Sequence, residues 1–360
     1  MYDFRRKVAM ATNKAWLAGL ALWALLPALS PAYANDTTAT LGAGGLELTV
    51  SADIAMEKEE LYLSTEGVRV SYLFRNSSAA DIRTRVAFPM PEVPFGPFDN
   101  IVLPEPGAEN FVGFTVKADE QPIAPELHVQ AISAPVDDDA KPAFPQGADM
   151  TEAVRRAGLP VNAGLESWKS TLAEMPRSRR EALVAEGLLY DDGGDASPDG
   201  IVPQWSMRET YHWEQTFPAG EAVRIEHHYK PVSGMSFFAG DPSDMDTIET
   251  AFAERYCLDR NGLAGVRRLL GKAREAAAAG KDDAYVFATE TEYVLRTGAN
   301  WKGPIGDFRM TIDKLHPDAV MSTCAEGIAK TGPTTFTVDR TDFTPTHDVR
   351  FIVFRLGEPG

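Results

Sequence analysis

Three of the six histidines fall in one stretch, residues 209–234, "ETYHWEQTFPAGEAVRIEHHYKPVSG". Imidazoles beside carboxylates are the raw material of metal centres and of acid–base pairs. His212, Glu226 and His228, with Glu214 close in sequence, would make a zinc-type ligand set with a position left for water. That set points to a metal-assisted secreted hydrolase. The bland alternative is a solvated strand face whose Glu and His side chains pair weakly.

Which reading holds depends on the strands that carry these groups. Tyr211, Trp213, Gln215 and Phe217 alternate onto one face, and Val223, Ile225, His227 and Tyr229 onto one face of the next run. A three-residue turn at Pro218-Ala219-Gly220 predicts a β-hairpin, because Pro pre-sets the first turn residue and Gly takes the left-handed third. It pairs Phe217 with Glu221, Trp213 with Ile225 and Tyr211 with His227, merging the apolar faces. His227 then joins the core as a packed imidazole needing a partner, and is also a candidate binding residue. His212 opposes Glu226 on the polar face, with His228 one diagonal step away.

Elsewhere the chemistry is sparse. Asp195, Ser197, Asp199 and Gly200 match the first half of a helix-led calcium loop, but Ser206 stands where a bidentate Glu belongs. An acidic turn explains them as well; no cofactor is expected, with zinc or calcium the metals these residues leave open. No other cofactor is implied. There is no G-x-S-x-G and no H-E-x-x-H, and the glycines of "GVRRLLGKA" are misplaced for a phosphate loop. No catalytic residue is named by motif, which inclines the reading away from an enzyme. Cys257 and Cys324, 67 residues apart with no C-x-x-C, predict one structural disulfide in an exported chain.

The elements around these residues are mostly strands. "GLELTV", "VRVSYLF" and "IRTRVAF" alternate with period two, and the prolines of "FPMPEVPFGPF" interrupt regular pairing. Between about 149 and 189 the period becomes helical: Trp168, Leu172 and Met175 form a stripe, and Asp149/Glu152 and Ser178/Glu181 have capping-box spacing. One further helix carries Leu263, Val266, Leu270 and Ala273 on one face. The fold class is therefore mainly β, an antiparallel β-sandwich with a small helical insertion and one further helix. The expected organisation is a signal peptide over 1–34, a β-sandwich region over 35–255 and a disulfide-containing β region over 256–360.

The leader fixes the compartment. Arg5, Arg6, Lys7 and Lys14 precede a short apolar run and the small-residue ending "AYA" at Ala34, the pattern of a cleaved secretory signal. Periplasmic or secreted location follows, with no transmembrane segment in the mature chain. Cleavage changes the formal charge from −17 to −20, leaving 31 basic and 51 acidic side chains. So acidic a protein repels nucleic acid, and the expected partner is an envelope protein or a glycan. Trp301 and Lys302, in "TGANWKGPIGDF", are candidate loop binding residues.

With these residues in place, the chain resembles a family of secreted proteobacterial proteins known only as a domain of unknown function (DUF4424). The likeness is carried by "GGLELTVSADIAMEKEELYLS", "VRVSYLFRNSS", "WEQTFPAGEAVRIEHHYKPVSG", "TGANWKGPIGDFRMTID" and "KTGPTTFTVDRTDFTP", which span most of the mature chain. The resemblance implies a periplasmic home and places the pattern's histidine at His227, which favours a core imidazole over a His212–His228 metal pair. It implies no reaction. "VSYLFRNSSAADIRTRVAFPMP" is also similar to the opening strands of vault and inter-alpha-trypsin modules, which supports a sandwich by analogy.

Overall fold

Alternation decides most of the chain's secondary structure. In β4 (Val68–Asn76) residues Val68, Val70, Tyr72, Phe74 and Asn76 are buried while the intervening side chains reach outward. A computed structural model describes residues 35–42, 45–96, 100–134, 143–280 and 284–357; the expected signal peptide lies outside the described residues. No described helix is long and apolar enough to cross a membrane.

The strands form three main sheets. The first is antiparallel, in the order β2 (Gly45–Thr49), β1 (Thr37–Gly42), β5 (Ile82–Pro89), β12 (Trp205–Phe217) and β9 (Glu126–Ser133). The second has eight strands. One half runs β18 (Ala329–Lys330), β19 (Thr335–Phe343), β16 (Ile305–Asp313) and β3 (Ile54–Ser64). Its other half continues with β4, β13 (Ala222–Tyr229), β7 (Thr115–Ala118) and β8 (Gln121–Ile123). The third orders β17 (Val320–Thr323), β20 (Val349–Gly357), β15 (Tyr285–Tyr293), β14 (Ser233–Phe238) and β6 (Ile101–Val102). A small ribbon pairs β10 (Leu189–Asp191) with β11 (Ile201–Pro203). The mainly β, sandwich-like expectation holds, with one parallel pair, β3 beside β16. Through that pair, β16, β18 and β19 from beyond residue 255 extend the sheet that β3 and β4 begin.

The expected hairpin over 209–234 is wrong in its pairing. β12 is hydrogen-bonded to β5 and β9, whereas β13 is bonded to β4 and β7. Residues 218–221 are a corner that carries the chain from the first sheet to the second. Gly220 does take a positive φ of 70°, as the turn requires. Asn76 fixes the corner: its side-chain amide donates to the carbonyls of Ala80 and Phe217 at 2.8 and 2.9 Å. Asp81 accepts from the Ala219 N–H at 2.9 Å. The two apolar faces still meet, across the interior rather than along a ladder: the Trp213 and His227 rings are 5.4 Å apart and those of Phe217 and Phe74 5.9 Å.

The helices cover what the sheets leave open. α1 (Thr151–Arg156), α2 (Glu166–Glu174) and α3 (Arg177–Ala185) form the insertion, with Trp168 and Leu172 buried and Trp168 edge-on to Trp205. Asp149 accepts from the Thr151 N–H, but Ser178 caps nothing because Pro176 precedes the first turn of α3. Two further helices exist rather than one. α4 (Asp244–Phe252) and α5 (Arg260–Ala278) bury Ile248, Phe252, Val266, Leu269 and Leu270 against the outer side of the third sheet. The start of α4 reads as an acidic turn in sequence because the Asp244 carboxylate accepts the Gly240 and Asp241 N–H groups. Cys257, just after α4, is disulfide-bonded to Cys324 as expected.

Candidate functional site

The strand β13 presents its residues alternately to two environments, and each holds polar groups. Inward, His227 is wholly buried among aromatic rings, with Phe88 at 4.9 Å and Phe114 at 5.1 Å between centroids. Its Nε2 lies 2.9 Å from Oδ1 of Asp36, which is also wholly buried. Asp36 directly precedes β1, and its carbonyl accepts the indole N–H of Trp301 at 2.6 Å. Beside it, Asn35 donates to the Glu59 carboxylate at 3.3 and 3.4 Å, and its Oδ1 accepts the hydroxyl of Tyr72. Tyr72 and Tyr293 share a 3.1 Å hydroxyl contact. Burial pushes the Glu59 carboxyl up to about 8; the Asn35 hydrogen bond opposes this and the Asp36 charge adds to it. Burial also raises Asp36, partly offset by the adjacent imidazole.

Glu59 faces inward because of a local irregularity. Ile54 and Met56 are inward at even positions, while Glu59, Leu61 and Leu63 are inward at odd ones. The register shift between Met56 and Lys58 in the β3–β4 pairing is the bulge that changes parity. In "IAMEKEELYL" this switch is visible as the one break in alternation, and it is the signal that could have placed Glu59 in the core. Nothing local marks Asp36, which meets His227 from 191 residues away, or Asn35 before it.

Outward, Glu226 and His228 line a furrow of about 570 Å³ across the middle of the eight-stranded sheet, shared with Tyr62, Arg69, Lys117 and Arg309. The Arg69 guanidinium lies over the Tyr62 ring at 4.1 Å, and the Tyr62 hydroxyl donates to Asp313 at 3.1 Å. Lys117 and Glu226 are cross-strand neighbours, but no ion pair joins them among the described residues. Arg309 is paired to Asp339 at 2.6 Å. The furrow's lining thus combines charged side chains with hydroxyl groups.

The zinc-type set does not assemble. His212 sits on β12 in the first sheet, opposite Glu126 and Ala87, with its inward neighbours Tyr211 and Trp213 turned to the core. Glu226 and His228 belong to the second sheet, so the sandwich interior separates them from His212. The error traces to the hairpin: parity gives the face of a strand, but not its partner. Burial lowers the His212 pKa, against the opposing charge of Glu126. Glu214 is taken by Arg85 at 3.0 Å. Among the described residues no three His, Cys, Asp or Glu side chains group as metal ligands. At the calcium-like loop, Asp195 accepts the Ser197 N–H and Asp191 those of Gly194 and Ala196, as a turn does. Trp301 is a core residue at 2% exposure rather than a loop contact, and Lys302 donates to Ser77 at 2.6 Å. His227 can meet the furrow only through its main chain, since its ring is wholly buried.

A search of curated proteins returns no match. Among solved structures, a proposed nutrient-binding protein of Legionella pneumophila aligns over 89% of this chain and 70% of its own, with 13% identity and a TM-score of 0.39. An M1 zinc metallopeptidase of Deinococcus radiodurans aligns over 85% of this chain but 43% of its own, with 8% identity and a TM-score of 0.25. Likenesses this loose transfer neither fold nor activity. The family profile for a domain of unknown function (DUF4424) matches residues 34–352, and the chain belongs to that family.

Proposed function

We propose that this is a secreted, periplasmic, non-enzymatic binding protein whose ligand is an envelope glycan laid along the outer furrow of the eight-stranded sheet. The observation that carries the reading is the furrow itself, about 570 Å³ over central strands β3, β4 and β13. These strands have neighbours on both sides, so their backbone donors and acceptors are occupied and a peptide cannot add as a further strand. Recognition must come from side chains. Carboxylate, guanidinium, ammonium and hydroxyl groups spaced along a trough suit a ligand dense in hydroxyls. Lys117 and Glu226, adjacent but without an ion pair among the described residues, are placed to bond it. The leader ending at Ala34 supports export.

Titration calorimetry with oligosaccharides released from bacterial envelopes tests this. Arg69→Ala and Glu226→Ala each remove a charge-assisted hydrogen bond, about 1.5–3 kcal/mol, so affinity should fall roughly tenfold or more with folding unchanged. Equal affinity in both variants, or binding only to peptides, would sink the assignment.

A further inference from the structure

Two buried carboxylates lie side by side, and only one of them meets an imidazole. Asp36 Oδ1 bonds His227, while Asp36 Oδ2 has no partner among the described residues. Among the described residues Glu59 has only the two long bonds from the Asn35 amide. The other groups facing them are the phenols of Tyr72 on β4 and Tyr293 on β15, with Tyr229 of β13 beside Tyr293. No described Lys or Arg forms an ion pair with either carboxylate. A buried carboxylate stays ionised only beside a paired cation, and the described side chains supply none to Glu59.

Asn35 is the residue that follows the small-residue ending "AYA". We propose that Ala34–Asn35 is the processing site of this protein, and that the α-ammonium released on Asn35 is the buried counter-ion of Glu59 and Asp36. This rests on the export part of the reading above, not on the glycan. A signal peptidase would add water across the amide: Ala34 leaves as a carboxylate, and the Asn35 nitrogen gains protons to become an ammonium. An α-amine ordinarily titrates at about 7.7–8.0, and neighbouring carboxylates hold it charged above that. Before hydrolysis the same nitrogen is a neutral amide and can neutralise nothing.

The geometry fits a built cradle. Asn35 and Asp36 are both wholly buried. The Asp36 N–H bonds back to Asn35 Oδ1 at 2.9 Å, and the Asn35 amide donates to the Leu295 carbonyl at 3.4 Å. A Cβ at Gly298 would stand 2.7 Å from Asn35 Nδ2, so any larger residue there would displace the Asn35 amide. Trp301 and Asn300 hold Asp36 and Thr37 from the same segment. The α-nitrogen belongs to the residue whose side-chain amide bonds Glu59 and whose neighbour is Asp36, so the ammonium would be released beside both acids.

The experiment has three arms. First, N-terminal sequencing of protein exported with its own leader should read Asn-Asp-Thr-Thr; any other first residue overturns the proposal. Second, a chain beginning at Asn35 is compared at pH 7 with one bearing a single glycine before it, each with and without Glu59→Gln. Glu59→Gln should lower the folding constant at least tenfold in the chain that begins at Asn35, and leave it unchanged or raise it in the extended chain. The same effect in both backgrounds would refute the pair while leaving export intact. Third, should an extended chain not fold, cyanate modification of the native processed chain decides. A buried, paired amine resists carbamylation until unfolding, whereas modification at the rate of a free peptide amine overturns the pairing. Glycan titration is independent of all three arms.

Discussion

Glu209 offers a clean test of the electrostatic reading of the interior. It lies on β12 with the inward parity of Tyr211, is 2% exposed, and its Oε2 has no partner among the described residues. Burial, and secondarily the charge of Glu109, push its carboxyl up to about 8. A carboxyl whose folded pKa lies above its unfolded value of about 4.5 stabilises the fold fully below pH 4.5. That contribution is lost as the pH rises toward 8. At ~1.4 kcal/mol per pH unit, the loss between pH 4.5 and pH 7 is on the order of 3 kcal/mol. Glu209→Gln keeps the shape and removes the titration. Urea unfolding of both proteins from pH 4 to 9 should therefore show the variant gaining about 3 kcal/mol on the wild type by pH 7, levelling off above pH 8. Other acids cancel in the difference, because they are present in both proteins. A difference that stays flat across this range would refute the assignment of a raised pKa to Glu209.

The disulfide and the sheet corner carry two further expectations. Replacing Cys257 and Cys324 together with Ser should lower the unfolding free energy by about 4 kcal/mol, the loop-entropy value for a 67-residue separation, as read by urea titration. A thiol assay on the unfolded, unreduced wild type should find none free. Asn76→Ala strips the carbonyls of Ala80 and Phe217 and the N–H of Ser78 of their partner. It should cost about 3 kcal/mol in thermal unfolding; an unchanged Tm would mean that Gly220 alone sets the corner.

What the sequence made legible was parity. Period-two alternation in "VRVSYLF" and across 209–229 placed Tyr72, Phe74, Trp213, Ile225 and His227 in the core, where they are. It also put Glu226 and His228 on one outward face, where the furrow runs. Pairing was not legible, because a tight turn between two alternating strands is compatible with a hairpin within one sheet or a corner between two. What decides here is non-local: Asn76 and Asp81, far back in the chain, hold the turn. The same reasoning covers the parallel β3–β16 pair and the meeting of Asp36 with His227, since neither leaves a local trace. Trp301 misled for a related reason. Its loop-like surroundings of Gly, Asn and Lys gave no hint that Asp36 would accept its indole N–H.

The two polar environments of β13 are mechanically joined. Glu226 and His228 project into the furrow from the backbone whose intervening residue, His227, is fixed to Asp36. Close-packed interiors transmit displacement, and the ring of His227 is held by Phe88, Phe114, Trp213 and Tyr72 as well as by the carboxylate. An interior that lacked its full complement of charge would loosen the strap at Asn35–Thr38. With it would go the contact that anchors the middle of β13 from behind. Rigid placement of outward side chains is what a site built on strands offers over one built on loops. The buried Asp36–His227 pair, sealed from solvent, packs directly behind the strand whose outward side chains line the furrow.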